Sequence, residues 1–195
     1  MENKYSINLV SNYIGKNNFF IRGLIPTESL SQFLYAKDKK SLYKEKIRSG
    51  AFAFSTSKSK PKLLINHDYS KELKCKKLSI YEDKQGLKFE AVVEYDEELA
   101  ENYSEIKSLS FGFVIGIDSW SKDGYNLIRT VHSFEELKEI SILIGRKPAY
   151  EETRVTVLPI KKECNEIDEI VEVKVLVRKN EVAAIRKEIE KLKVG

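Results

Sequence analysis

The chain has 195 residues, of which 42% are hydrophobic and 33% are charged, and its formal net charge at pH 7 is +4. This length suffices for one domain with a substantial hydrophobic core, and the longest apolar runs are far too short to cross a bilayer as helices. The N-terminal residues lack the basic and then apolar order of a signal peptide, so we expect a protein that stays in the cytosol.

The charged residues and the cysteines favour neither a nucleic-acid partner nor a metal centre. Lysine-rich stretches occur at 37–48 and 58–62, but no aromatic-rich basic ribbon or recognition helix accompanies them, so we interpret them as solvated faces. Cys75 and Cys164 form no CxxC pair, and the chain has only two histidines. We therefore expect no structural zinc site. A basic nucleic-acid-binding module is the alternative, and steeply salt-dependent retention on DNA would identify it.

Periodicity and turn residues predict many short strands and few helices. Strands are predicted, in chain order, at 19–25, 62–67, 77–82, 87–93, 108–117, 125–131, 137–143 and 154–160, with a hairpin at the glycine-bearing turn 83–86. The scattered apolar residues of 28–48 favour helix or helix plus loop, 96–107 has helical spacing behind the N-cap residue Asp96, and 55–61 is a flexible polar loop by composition. These elements predict an α+β or mainly β fold.

The C-terminal residues have a different pattern. A charged linker is predicted at 161–168, alternating valines predict a strand at 171–177, and the apolar stripe of 180–192 predicts an amphipathic helix. We therefore expect one domain over 1–160 and a C-terminal segment, 161–195, that is either an appendage or completes the core of the domain.

The strand at 108–117 has the residues that a nucleophilic site needs. Leu109 and Phe111 fall on one face, whereas Ser108, Ser110 and Gly112 fall on the other. The apolar face requires a core, while the small residues leave open space in front of the two hydroxyls, where a substrate carbonyl would fit. An ordinary half-exposed strand with serines facing water has the same pattern, so other residues must decide between the two interpretations.

A serine nucleophile needs a base and a group that orients the base. His67 comes at the end of a predicted strand, where its side chain can project into a cleft, although a histidine packed into the core is the plainer interpretation. Glu139 is a charged residue inside an apolar strand, so it either faces the surface or holds a partner, and a histidine is an obvious partner.

Six short segments connect these residues in a characteristic order. They are 49–52, 66–68, 82–87, 109–113, 137–141 and 148–149. In this order and at this spacing they resemble the HK97-type phage prohead maturation proteases, over about residues 19–157. Residue by residue, the nucleophile of that family matches Ser110, its histidine matches His67, and its acidic residue matches Glu139.

The resemblance implies a fold, an activity and partners. The implied fold is a compact β-barrel with surrounding helices, similar to the herpesvirus assemblins. The implied activity is that of a serine endopeptidase that needs no cofactor. It would cleave the scaffold, or the scaffolding segment of the major capsid protein, inside the immature capsid in the host cytoplasm, and it would also cleave and associate with itself. A catalytically inactive assembly factor that binds scaffold or capsid protein is the alternative.

Several assignments stay open at this stage. Ser108 shares a strand face with Ser110, and the segment Phe111–Phe113 favours Ser110. His132 is the alternative third member, because the herpesvirus enzymes use a second histidine. Asp68 is a less suitable partner for His67, since adjacent strand residues point to opposite faces.

The donors of an oxyanion hole are also open. Backbone N–H groups near Gly112 or Gly145 and the guanidinium of Arg146 are the candidates.

Overall fold

A computed structural model describes residues 18–58 and 60–160 of the protein, so the predicted elements of the C-terminal segment lie outside the described residues. The described part contains ten strands and two short helices. In chain order they are β1 (Asn18–Pro26), β2 (Leu34–Ala36), β3 (Ser41–Ile47), α1 (Ala53–Lys58), β4 (Lys62–Ile65), β5 (Asp68–Glu72), β6 (Cys75–Asp83), β7 (Gly86–Glu94), α2 (Glu97–Asn102), β8 (Leu109–Asp123), β9 (Asn126–Ile142) and β10 (Arg154–Ile160). Neither of these two helices is long and apolar enough to cross a membrane.

The strands form two sheets. One is antiparallel with the order β10-β1-β7-β6, and the other has six strands in the order β2-β3-β9-β4-β5, with β8 also paired to β9. Because β8 follows β9 along nearly its whole length, the parallel strands β3 and β4 share the other edge of β9. Repeated irregularities in the β8–β9 register accompany the curling of this sheet into a half-barrel.

The predicted mainly β fold is confirmed, and most predicted strands appear at their expected places. Strand β1, the β6–β7 hairpin and β10 match the prediction closely, and Asp96 caps α2 by accepting a hydrogen bond from the N–H of Leu99 at 2.9 Å. The two strands predicted at 125–131 and 137–143 are one continuous strand, β9. Leu109 and Phe111 of β8 are buried in the main core, as their alternation predicted.

The helix predicted within 28–48 is wrong, because β2 and β3 lie there instead. In β3 the buried residues alternate, at Tyr43, Glu45 and Ile47. A carboxylate at a core-facing position hides this alternation from a reading of the sequence. Glu45 is tolerated there because the hydroxyl of Tyr150 donates to it at 2.8 Å and Arg129 lies 3.5 Å from its other oxygen.

The flexible loop predicted at 55–61 is also wrong over its first residues, where α1 forms. Glu82 of β6 binds the turn that leads into this helix: Oε1 accepts from the N–H of Gly50 at 2.7 Å, and Oε2 accepts from the N–H of Phe52, the residue before the helix, at 3.1 Å. Within the helix, the hydroxyls of Ser55 and Thr56 donate to the Phe52 carbonyl, each at 3.0 Å. These residues favour a loop by composition, and the distant carboxylate stabilises a helical turn instead.

We expect Glu82→Ala to lower the free energy of unfolding by about 1–3 kcal/mol, because it leaves the N–H groups of Gly50 and Phe52, just before α1, without their acceptor. Denaturant titration of the full chain measures this. Glu72→Ala is the matched control, since it removes a carboxylate that only pairs with Lys62 at the surface, and it should cost about 0–1 kcal/mol. Equal losses in the two variants would contradict the capping role of Glu82.

Candidate active site

His67 lies in the two-residue turn that joins β4 to β5. Both turn residues have positive φ, 54° at Asn66 and 63° at His67, as the tight type I′ turn of a β-hairpin requires. Asparagine tolerates this conformation well, whereas a histidine there is less common and costs some backbone strain. In this turn 43% of the His67 side chain is exposed.

The turn is fastened to the end of β9 by several hydrogen bonds. The N–H of Asn66 donates to the carbonyl of Ile142 at 3.0 Å. The Asn66 side chain accepts from the N–H of Ile144 and donates to its carbonyl, both at 3.0 Å. Because three hydrogen bonds hold Asn66 to Ile142 and Ile144, they fix the position of the next residue, His67, relative to the end of β9.

A β-bulge in β9 determines on which face of the sheet the Glu139 side chain lies. Gly112 of β8 is opposite Glu139, and the next residue, Phe113, is opposite Leu137, so Lys138 is an extra residue on β9. In a regular strand Leu137 and Glu139 would share a face. The extra residue lets Leu137 pack in the core while the Glu139 side chain lies on the opposite face of the sheet, where it is also buried.

Gly112 provides the space that this side chain occupies. A Cβ atom at position 112 would lie 2.5 Å from Glu139 Oε1, far inside contact distance. The sequence indicated that the small residue leaves room for a substrate, and the structure shows the Glu139 carboxylate in that room. Position 112 must therefore be a glycine for the Glu139 carboxylate to occupy this space.

His67, Glu139 and Ser141 form a closed set of hydrogen bonds. His67 Nδ1 lies 2.7 Å from Glu139 Oε1, the Ser141 hydroxyl donates to Glu139 Oε2 at 2.5 Å, and the backbone N–H of His67 donates to Ser141 Oγ at 3.0 Å. An ionised carboxylate only accepts hydrogen bonds, so Nδ1 carries the proton on this side of the ring. The other nitrogen, Nε2, then has a free lone pair that can accept a proton.

Ser110 lies on the strand next to this set. It is opposite Ser141 in the β8–β9 ladder, so it is on the same face of the sheet as Glu139, and it is half-buried. Directly opposite residues have Cβ atoms about 4.5–5.5 Å apart. The structure thus brings His67 and Glu139 into contact with each other, and it brings Ser110 beside Ser141 without a hydrogen bond to His67.

The alternative residues lie elsewhere or are engaged with other partners. His132 precedes Glu139 by seven positions on β9, about 23 Å along an extended strand, and its Nε2 is 2.8 Å from Ser119 Oγ. Asp68 accepts from the hydroxyl and the N–H of Ser70 at 2.6 and 2.9 Å. These bonds hold the pKa of Asp68 below its usual range. Ser108 precedes β8, and its carbonyl accepts from the N–H of Leu143.

Of the candidate oxyanion donors, Arg146 lies beside the histidine turn. Its Nη1 donates to the carbonyl of Asn66 at 3.3 Å. Gly145, just before it, has a φ of 67°, so the chain turns sharply at the end of the segment that contacts Asn66.

Reasoning from the sequence gave no role to Asn66 or Ser141. The signal for Asn66 is its position in a two-residue turn between predicted extended segments, where asparagine supplies positive φ. The signal for Ser141 is its spacing of two from Glu139, which places both polar side chains on one strand face.

A comparison with known families defines the class of the protein as a serine protease. Residues 27–170 match the family model described as caudovirus prohead serine protease, which is well over half of the chain, and the chain belongs to this family. The family predicted from the sequence is therefore confirmed. No curated protein and no solved structure matches the chain. The match ends inside the predicted C-terminal segment, and the division at residue 160 stays a prediction.

We expect Gly112→Ala to reduce proteolysis of a phage capsid or scaffold protein about 10–100-fold, because the added methyl group displaces the Glu139 carboxylate and with it the imidazole. Steady-state cleavage rates measure the effect. Gly116→Ala on the same strand is the matched control, since its Cβ would meet the Ser133 hydroxyl at 2.9 Å, the Glu135 nitrogen at 3.3 Å and the Ser133 carbonyl oxygen at 3.4 Å, none of which belongs to Glu139. Full activity in Gly112→Ala would contradict the steric role of the glycine.

Proposed function

We propose that this protein is the serine endopeptidase of phage capsid maturation, with Ser110 as the nucleophile, His67 as the general base and Glu139 as the residue that orients the base. The observation that carries the proposal is the 2.7 Å contact between His67 Nδ1 and Glu139 Oε1 in a chain of the prohead protease family. The position of Ser110 on the neighbouring strand, on the same face of the sheet as Glu139, supports it.

In the proposed reaction, Ser110 Oγ attacks the carbonyl carbon of the scissile peptide bond while its proton passes to His67 Nε2. The imidazolium then gives this proton to the leaving amine as the C–N bond breaks, which leaves an ester on Ser110. Water attacks the ester, its proton again passes to Nε2, and the proton returns to Ser110 Oγ as the acid product leaves. Glu139 stabilises the imidazolium in both halves of the cycle.

The burial of the two partners supports these roles. The Glu139 side chain is only 4% exposed, whereas 43% of the His67 side chain is exposed. A shielded carboxylate interacts strongly with the charge that develops on the ring, because little water screens it. The exposed part of the imidazole can meet a substrate. Catalytic hydrogen bonds often tighten only in the complex with substrate, so we expect the Ser110 hydroxyl to turn toward Nε2 when a peptide binds.

The substrates and the place of action follow from the family. We infer that the enzyme cleaves the scaffold, or the scaffolding segment of the major capsid protein, within the immature capsid in the host cytoplasm, and that it also cleaves itself. The likeness to the assemblin barrel belongs to the same proposal, supported by the curled sheet around β9.

We expect Ser110→Ala to lower the cleavage rate of the cognate scaffold or capsid protein about 10⁴–10⁶-fold, because it removes the attacking oxygen. Ser108→Ala is the matched control on the same segment and should keep substantial activity. Both variants should melt at the wild-type temperature. A dead Ser108→Ala together with an active Ser110→Ala would move the nucleophile by one strand period.

We expect Glu139→Gln to lower the turnover rate about 10²–10⁴-fold, because an amide offers only one acceptor to the two donors, His67 Nδ1–H and the Ser141 hydroxyl. His132→Ala should leave turnover unchanged, since its ring contacts Ser119 of β8 and lies seven positions before Glu139 on β9. Turnover numbers and circular dichroism of the two full-length variants test this. The reverse result, with His132 essential in a folded protein, would favour a second histidine as the third member.

A further inference from the structure

Ser141 is a buried hydroxyl at the centre of the proposed catalytic residues. It lies on β9 two positions after Glu139, and it is completely buried. Its Oγ contacts two groups, the Oε2 atom of Glu139 at 2.5 Å and the backbone N–H of His67 at 3.0 Å. It thus links the backbone that holds the imidazole to the carboxylate that binds the same imidazole.

The donor and acceptor chemistry of a hydroxyl fixes the direction of both bonds. A backbone N–H can only donate, so Ser141 Oγ must accept the bond from His67. The hydroxyl has a single proton, and the remaining contact at Glu139 is an acceptor, so that proton points at Oε2. Ser141 Oγ therefore accepts from His67 and donates to Glu139. Reversing either direction would leave a buried group without a hydrogen-bond partner.

This arrangement constrains the carboxylate at both oxygens. Oε2 is held by Ser141 and Oε1 faces Nδ1, so the plane of the carboxylate cannot rotate away from the ring. A carboxylate bound at one oxygen only would keep the rotational freedom of its last torsion, which is broad. Ser141 also fixes the origin of the His67 side chain through the backbone bond.

We propose that Ser141 is a positioning residue of this protease, which acts through Glu139 and the His67 backbone to keep the imidazole protonated at Nδ1 and its Nε2 atom directed at the nucleophile. This inference rests on the proposed function for its catalytic consequence. The hydrogen bond between His67 Nδ1–H and Glu139 does not involve the nucleophile, so it can be tested whichever serine attacks the substrate.

The test compares Ser141→Ala with Ser55→Ala in the full-length protein. Ser55 of α1 is the matched control, because it is also completely buried and its hydroxyl donates a side-chain hydrogen bond, to the carbonyl of Phe52 just before the helix. We expect Ser141→Ala to lower kcat about 10–100-fold with KM changed less than about twofold, since the imidazole is misplaced while the substrate surface is intact. Ser55→Ala should change neither constant, and Ser141→Thr, which keeps the hydroxyl, should restore most of kcat.

A spectroscopic measurement separates this role from the choice of nucleophile. In a Ser110→Ala background, which also prevents self-cleavage, proton NMR should show a low-field Nδ1–H resonance of His67 that persists in His132→Ala. Adding Ser141→Ala should broaden or abolish this resonance, whereas adding Ser55→Ala should not.

The outcomes are distinguishable. If Ser110→Ala is fully active, the assignment of the nucleophile is wrong, and the resonance still decides the role of Ser141. If Ser141→Ala keeps both the resonance and the wild-type kcat, Ser141 is a merely structural serine and the inference is overturned. Should Ser141→Ala not fold, Ser141→Cys, which keeps a similar volume but donates weakly, decides by the same two readouts.

Discussion

The buried carboxylate of Glu139 is the constraint on which the rest of the site depends. A buried charge destabilises a fold by several kcal/mol unless hydrogen bonds compensate it. Here His67 and Ser141 each contact one oxygen, and the chain is shaped to allow this. The extra residue Lys138 turns the side chain away from the core, and Gly112 leaves the space for it. Without these two features the carboxylate could not meet the imidazole.

Strand β9 assembles residues that are far apart in the sequence. Strand β8 brings Ser110 along one edge, and the parallel strand β4 brings the turn with His67 to the other edge. Glu139, on β9 itself, lies between them. Since each edge of a strand bonds to a separate partner, a single long strand can hold three segments of the chain in register. The geometry of the candidate site is therefore a property of the sheet pairing.

A second buried carboxylate on the same sheet shows what distinguishes the site from a structural ion pair. Glu45 of β3 contacts Tyr150 and Arg129, and burial raises the pKa of Glu45. Its cationic partner is permanently charged, so the pair stabilises one arrangement. Glu139 instead faces an imidazole, whose ring nitrogens can both donate and accept a proton, and the side chain of that histidine is partly exposed. The first pair is suited to joining β3 to β9, and the second is suited to moving a proton.

The sequence by itself determined the strand-rich fold, the hairpin at 83–86, the apolar face of β8 and the family, because these depend on local alternation, turn residues and short motifs. It also indicated His67 and Glu139 as partners, since a charged residue in an apolar strand needs one. Only the tertiary structure decided that 41–47 is a strand, because the residues that compensate Glu45 are remote in the chain. It alone placed the extra residue at Lys138 and the bonds of Ser141, because both arise from the register between strands, which side-chain periodicity within one strand does not specify.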